Sequence, residues 1–407
     1  MGYIFIHPLF NVYGGAEKVM LDIHGTLLKN KIDSKIFTLF EPDLDETVDN
    51  FFHLRVKNIP LSNLLGFKVN PKIRAYSKLL AERILMTLKE DDKIVFTNFP
   101  GSLIVYEMLK LKKLKNKIYF ISFEPDRILY YNEQVKANFI PTDVKDKKFG
   151  LYSKFLNNWR KIDRFIVEKK THKIITLSAY VAHQTNTIYN RKDAYNGLQM
   201  YIDTKKLSKK SKKASREIIN KEFNLDLKEG DFIILSQSRL EKSKGILELM
   251  AATRELRNMP NVKLLIGGKG ELYDQIKDIS KKAKNIHVLG FIPDEVLYDL
   301  FNSANVFSFL GDKETGGPLT ILESMGSRCF VVASDNGGPP ELIKDGEDGI
   351  LVNRRNKLKI KNTFEELFVK YKTDKKSFDK LTKKAQNRVK KEFNFNIFYK
   401  RFKENFT

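Results

Sequence analysis

Cysteine is almost missing from this chain: Cys329 is the only one in 407 residues. A single thiol excludes a disulfide within the chain, and its setting, RCFVVAS, reads as a buried strand in a protein of a reducing compartment. Long apolar runs are missing too, so no membrane-spanning helix is expected. The opening residues MGYIFIHPLF have no basic region and no small-residue cleavage site; they read as a first β-strand, and secretion is not expected. The 6 histidines, His7, His24, His53, His172, His183 and His287, show no zinc spacing. Asp43 and Asp45 lie in an acidic loop without supporting ligands, so no metal is expected. No GxSxG elbow and no P-loop lysine pattern occurs. Neither does a zinc finger, an RRM signature or a KH loop, and nucleic acid is not an expected partner.

What is present is material for two cores. Hydrophobic residues make up 42% and aromatics 12%, which excludes disorder, and 407 residues exceed the size at which one core keeps growing. Lys and Arg number 73 against 50 Asp and Glu, a formal charge of +23. The excess is densest at Leu109 to Lys117, Val144 to Phe149, Lys205 to Lys213 and Lys383 to Lys391. Such a surface attracts nucleic acid, anionic lipid headgroups or phosphorylated substrates, while solvated helix faces in a lysine-rich protein would produce it with no partner.

Along the chain, apolar strand runs alternate with helical spacing, which predicts an α/β protein with buried parallel sheets. The first half opens with a strand at Tyr3 to Ile6, a loop with Gly14 and Gly15, and an amphipathic helix carrying Val19, Met20, Ile23, Leu27 and Leu28. Further strands are predicted at Lys35 to Phe40, Lys93 to Asn98, Lys117 to Phe123 and Lys173 to Ser178. Past a lysine-rich segment the second half predicts strands at Asp231 to Arg239, Val262 to Gly268, Asn285 to Phe291, Val306 to Gly311, Cys329 to Ser334 and Gly349 to Asn353. Most end in or beside Gly, Ser or Asn, where open α/β sheets bind ligands. The expected organisation is two doubly wound, Rossmann-like domains, residues 1–200 and 201–393, facing across a cleft.

The most informative stretch is KETGGPLTILESMG, Lys313 to Gly326. Glu314 and Glu323 bracket Gly316, Gly317 and Pro318, and TILESM fits the first turns of a helix. Backbone N–H groups of Gly317, Leu319 and Thr320 would then be unpaired and electropositive, an anion site. A carboxylate one turn into such a helix suits the vicinal hydroxyls of a ribose, so a diphosphate with a sugar at each end fits the arrangement. Arg239 and Lys244 sit in SRLEKSKG past a strand end, where a guanidinium and an ammonium can clamp a pyrophosphate and offset the charge on a departing nucleoside diphosphate. Gly267, Gly268 and Gly270 permit close backbone approach to a ligand or form a plain turn. Gly14 and Gly15 offer backbone donors to a phosphate or sugar, or a tight turn. Gly337 and Gly338 are free to adopt positive φ, with Glu341 in the helical turn that follows. Glu124 and Arg127, after another strand end, either face the cleft or belong to a solvated loop.

Together these residues resemble the retaining glycosyltransferases of the GT-B fold, the group-1 family, also called glycosyltransferase family 4. The resemblance covers almost the full length and is densest from Ser236 to Val352, through GGAEK, SRLEKSKG, IGGKGE, VLGFIPDEVLYDLFNSANVF, ETGGPLTILESM and NGGPPELIKDGEDGILV. It implies that Arg239 and Lys244 bind the donor pyrophosphate, that Glu323 holds the nucleotide ribose, and that Glu314 with the Gly316–Gly317 backbone contacts the donor sugar. It also implies retention of configuration by front-face attack, no essential metal, no cofactor beyond the nucleoside-diphosphate sugar that serves as donor substrate, and a C-terminal helix, about 394–407, crossing back to the first domain. Two departures stand out. Glu314 and Glu323 are one residue further apart than the family pattern, so either Thr315 takes the first acidic position or Glu314 reaches it through a bulge. Phe123 stands where many relatives carry a histidine, leaving Glu124 or Arg127 as substitutes.

The expectation is a cytoplasmic hexosyltransferase, peripheral on an anionic membrane surface, acting on a glycan or lipid-linked acceptor. The alternatives are a sugar-nucleotide epimerase of the same fold and a non-catalytic basic protein that binds membrane or nucleic acid.

Overall fold

A computed structural model of the chain describes residues 1–8, 10, 15–40, 48–54, 71–127, 129–141, 156–254, 256, 259 and 261–406. Asp43, Asp45 and the basic stretch 144–149 lie outside them. The chain divides into two compact units, one built on Met1–Ile140 and Asp146–Leu198 with Asn405–Thr407, the other on Gln199–Glu404.

The first unit holds strands β1 (Tyr3–Ile6), β2 (Ser34–Thr38), β3 (Phe51–His53), β4 (Lys93–Phe96), β5 (Ile118–Ser122), β6 (Lys173–Thr176) and β7 (Tyr195–Asn196). They form one sheet in the order β3-β2-β1-β4-β5-β6-β7, every pair parallel. Helices Gly15–Lys29, Pro71–Thr87, Gly101–Leu111 and Ala179–Ile188 connect these strands, as parallel pairing requires. The four residues of β1 and of β4 are buried throughout, which is why Tyr3–Ile6 and Ile94–Phe96 read as apolar runs rather than alternating ones. The last helix, Phe395–Phe406, ends in this unit: the Phe406 ring lies 4.9 Å from that of Tyr119, and the Asn405 amide donates to the Gly197 carbonyl at 3.0 Å.

The second unit holds β8 (Phe232–Gln237), β9 (Val262–Gly267), β10 (Ile286–Gly290), β11 (Val306–Phe309), β12 (Phe330–Ser334) and β13 (Gly349–Val352), all parallel in the order β10-β9-β8-β11-β12-β13. Its two faces are both covered. Ile233, Leu235, Phe307, Val331 and Ala333 pack on one side, and Phe232, Ile234, Val306, Phe330 and Val332 on the other. Each unit is therefore a doubly wound α/β layer structure.

Every strand expected from an apolar run is present, most of them slightly shorter at the carboxyl end, where the final Gly, Ser or Asn already belongs to a loop. The short edge strands β3 and β7 carry too few residues for a periodic signal. Cys329 is buried, next to β12. Among the described residues no helix is long and apolar enough to cross a membrane.

Candidate functional site

In each sheet the strand order reverses beside the first strand, between β1 and β4 in one unit and between β8 and β11 in the other. Loops leaving the two strands at such a point diverge to opposite faces and leave a crevice at the carboxyl ends. The two loops at the β8/β11 reversal carry the residues singled out above.

After β8 the chain runs through Ser238 to Glu241 into a tight turn, Lys242–Lys244, and then into helix Ile246–Thr253. Gly245 between them has φ of 72°, and a Cβ there would lie 2.2 Å from the Leu310 carbonyl oxygen. Only glycine lets the β8 loop come this close to the end of β11. The two loops are tied: the Asp312 N–H donates to the Ser243 carbonyl at 2.8 Å. As a result the Lys244 ammonium donates to Glu314 Oε1 at 2.5 Å, with the two side chains only 11% and 22% exposed. The ammonium also stands 5.9 Å from the centre of the Phe309 ring. A pair this sheltered is screened far less than a surface pair.

Glu314 follows Lys313, whose φ is 54°, a left-handed turn rare outside glycine, and the Lys313 N–H donates to Asn336 Oδ1 at 2.7 Å. The Gly338 N–H then donates to the Glu314 carbonyl at 2.7 Å. Gly338 itself has φ of −79°, so its lack of a side chain serves the close approach to Gly317 rather than a positive φ. Thr315 is half-buried; the side chain on Lys244 is that of Glu314.

Past Gly316 and Gly317 the chain turns at Pro318 into helix Leu319–Gly326. The N–H groups of Leu319 and Thr320 open this helix and have no carbonyl within it to bond. The Thr320 hydroxyl is buried with no hydrogen-bond partner among the described residues. Further along, Glu323 Oε1 accepts from the Tyr298 hydroxyl at 3.3 Å. Burial, followed by the Glu323 charge, holds the Tyr298 phenol above its ordinary range, so it stays a donor at neutral pH.

Arg239 lies on the outer part of the β8 loop, 73% exposed, donating to Glu241 at 2.6 Å. Gly268 follows β9 with φ of 126°, and a Cβ on it would fall 1.9 Å from the Ser238 carbonyl oxygen. The close approach that this glycine permits is to the β8 loop, whose Leu240 N–H in turn donates to the Lys269 carbonyl at 2.9 Å.

Behind the turn stands a residue that sequence reasoning missed. Arg354, 4% exposed and just beyond β13, donates to the Ser243 and Lys242 carbonyls, each at 3.4 Å. It also pairs with Glu248 and lies 3.9 Å from Asp312. One guanidinium thus anchors both the Lys242–Lys244 turn and the loop that leads to Glu314. Nothing local distinguishes Arg354 from its neighbour Arg355.

In the first unit Gly14 lies outside the described residues, and Gly15 opens helix Gly15–Lys29. At the β1/β4 reversal sequence reasoning missed a histidine. His7 is 7% exposed, with Nδ1 2.8 Å from the Thr97 hydroxyl and Nε2 3.3 Å from Glu17 Oε1. Its ring meets that of Phe123 edge-on at 6.2 Å. Glu124 and Arg127 pair with each other at 2.9 Å in a half-exposed loop after β5.

Known proteins resemble the chain over part of its sequence and in its fold. Residues 217–403 match the family model for glycosyl transferases group 1. An uncharacterised glycosyltransferase of Methanocaldococcus jannaschii is 30% identical over 192 residues, 45% of this chain and 47% of that protein, so the chain spans about half the length of this curated relative. Among solved structures, sucrose-phosphate synthase from Thermosynechococcus elongatus superposes with a TM-score of 0.74 at 16% identity, covering 99% of this chain and 98% of the other. Anabaena HepE, solved in complex with UDP-glucose, gives a TM-score of 0.64 at 15% identity over 99% of both chains. Residues 217–403 therefore match the glycosyl transferases group 1 family, in a chain whose two Rossmann-like units have the GT-B fold.

Proposed function

We propose that the chain is a glycosyltransferase that moves a hexose from a nucleoside-diphosphate sugar to a hydroxyl of a glycan or lipid-linked acceptor, with retention of configuration. The observation that carries this reading is the Lys244–Glu314 pair at the β8/β11 reversal, next to the open start of the helix that bears Glu323. In the reaction the bond between the anomeric carbon and the diphosphate oxygen breaks, a bond to the acceptor oxygen forms on the same face, and the acceptor proton passes to the leaving phosphate. The growing negative charge on the diphosphate is met by the Lys244 ammonium and the N–H groups at the start of helix Leu319–Gly326, with Arg239 closing from the outer loop. No metal is needed for this charge balance in our reading. Glu314 then accepts from donor-sugar hydroxyls and Glu323 from the ribose. The buried Thr320 hydroxyl, without a partner among the described residues, supports a polar ligand at this point. The relative solved with UDP-glucose makes a uridine donor the first to try. We place the protein in the cytoplasm, peripheral on a membrane surface.

The test is a screen of nucleoside-diphosphate sugars by thermal shift, followed by turnover with NMR assignment of the product anomer. Transfer with retained configuration is the expected outcome. An epimerised donor, an inverted product or no donor binding each overturns the proposal. Within it, Tyr298→Phe is expected to raise the donor KM about five-fold, equivalent to ~1 kcal/mol, because Glu323 loses the bond that orients it. The value of kcat should stay within about two-fold of wild type on the same argument; an unchanged KM would remove Tyr298 from ribose recognition.

A further inference from the structure

We propose that the second unit carries a separate site for a phosphate-bearing ligand, at the opposite end of its sheet from Lys244 and Glu314. A cavity of about 500 Å³ is lined by the segment from Thr204 to Lys212, by Asn302 at the end of helix Asp294–Ser303, by Arg328, and by helix Lys375–Glu392. Asn302 and Arg328 precede β11 and β12, so the cavity lies at the amino ends of these strands, whereas the Lys244 and Glu314 loops leave the carboxyl ends of β8 and β11. A strand of this length spans roughly 15 Å, enough to make the two places independent.

Its charge is one-sided. Lys209, Lys212, Arg328, Lys375 and Lys390 line it, and among the described lining residues Asp379 is the one carboxylate. The sixth cation, Lys210, is paired with the buried Asp299 at 2.6 Å. Lys209, Arg328 and Lys390 have no carboxylate within ion-pair distance among the described residues. Chance clustering on a basic protein leaves flexible, solvated ammonium groups, but part of this wall is built. The Lys212 ammonium donates to the Asn302 carbonyl at 3.0 Å and to that of Ala304. The Asn302 amide donates to the Lys210 carbonyl at 3.0 Å and to the Ser215 hydroxyl at 2.9 Å. Asp299 collects the Ser208 and Ser215 hydroxyls at 2.9 and 2.8 Å. Burial pushes the Lys212 ammonium down to about 8; Cys329 and Asp379 oppose the shift, and the like charges of Arg216 and Arg328 add to it. An anion in the cavity would favour the charged form of this lysine.

The shape and donor chemistry favour phosphate. Helix Lys212–Phe223, whose Ala214 N–H is capped by the Ser211 hydroxyl, starts at the wall of the cavity, and its positive end adds to the cations there. Several donors lining one concave space match the three oxygens of a phosphate group better than a single carboxylate. The volume lies within the usual range for a small ligand, with room beyond one phosphate. Two sources share this chemistry, a soluble phosphate ester or diphosphate and the headgroup of an anionic lipid.

The test titrates inorganic pyrophosphate calorimetrically into the full chain, into Lys244→Ala, and into the triple variant Lys209→Ala, Arg328→Ala, Lys390→Ala, whose folding is checked by its melting temperature. All three positions are exposed, so the fold should be kept. Binding at the second site is expected to survive Lys244→Ala and to weaken about ten-fold or more in the triple variant, from the loss of three charge-assisted contacts. Co-sedimentation with phosphatidylglycerol vesicles, against phosphatidylcholine alone, separates the sources. Sedimentation lost in the triple variant assigns the headgroup, and pyrophosphate binding without sedimentation assigns a soluble ligand. No pyrophosphate binding, binding abolished by Lys244→Ala alone, or binding untouched by the triple substitution overturns the proposal.

Discussion

Lys244→Ala is expected to lower kcat for sugar transfer by about 10²–10³-fold, the usual cost of removing one preorganised donor from a developing charge. The side chain is only 11% exposed, lies over Phe309 and is aimed by Glu314, so its ammonium needs little reorganisation when the diphosphate departs. An exposed lysine would be worth much less, because water and salt would screen it. Lys244→Met, which keeps the apolar stem, should lose nearly as much and so separate charge from packing. Glu314→Gln should also slow transfer. The double substitution should cost less than the product of the two single effects, since both act on one ammonium. Single-turnover kinetics with saturating donor is the measurement, and a wild-type rate in Lys244→Ala would end the assignment of this site.

Arg354→Ala is expected to destabilise the second unit by about 3 kcal/mol, because it strands the buried Asp312 carboxylate and the partly exposed Glu248 carboxylate that the buried guanidinium pairs. In a unit of this size that corresponds to a fall in Tm of roughly 10 °C. Transfer should fall as well, since the carbonyls of Lys242 and Ser243 lose the group that anchors the turn carrying Lys244. Arg354→Lys keeps the charge without the planar fork and should recover only part of either loss. Calorimetry, with kcat measured well below the new Tm, distinguishes the two effects. A Tm within a degree or two of wild type would show that the guanidinium is dispensable.

Much of this molecule could be read from the chain. Lys93 to Asn98 and Asp231 to Arg239 are apolar runs closed by small or polar residues, and the structure places a buried parallel strand inside each. Pro318 ahead of TILESM marks a helix start at Leu319. Such signals are local, because strand propensity, capping and glycine conformations act over a few residues. The contacts that were missed are not local. His7 meets Thr97 across 90 residues, and Arg354 meets Ser243 across 111. Neither pair has a spacing or composition that separates it from ordinary polar residues. The lysine cluster near residue 210 was visible, but its cavity needs Arg328 and Lys390, which arrive from other elements.

The sequence by itself determined the α/β class, the strand runs, the single buried thiol and the carboxylate-flanked turn at Gly316 and Gly317. The tertiary structure alone decided that β11 lies beside β8, and hence that Glu314 rather than Thr315 meets Lys244. The reason is physical: periodicity states which face of a strand is buried. Neighbours in a parallel sheet are chosen by crossover handedness and by packing on both faces, to which residues distant in the chain contribute together.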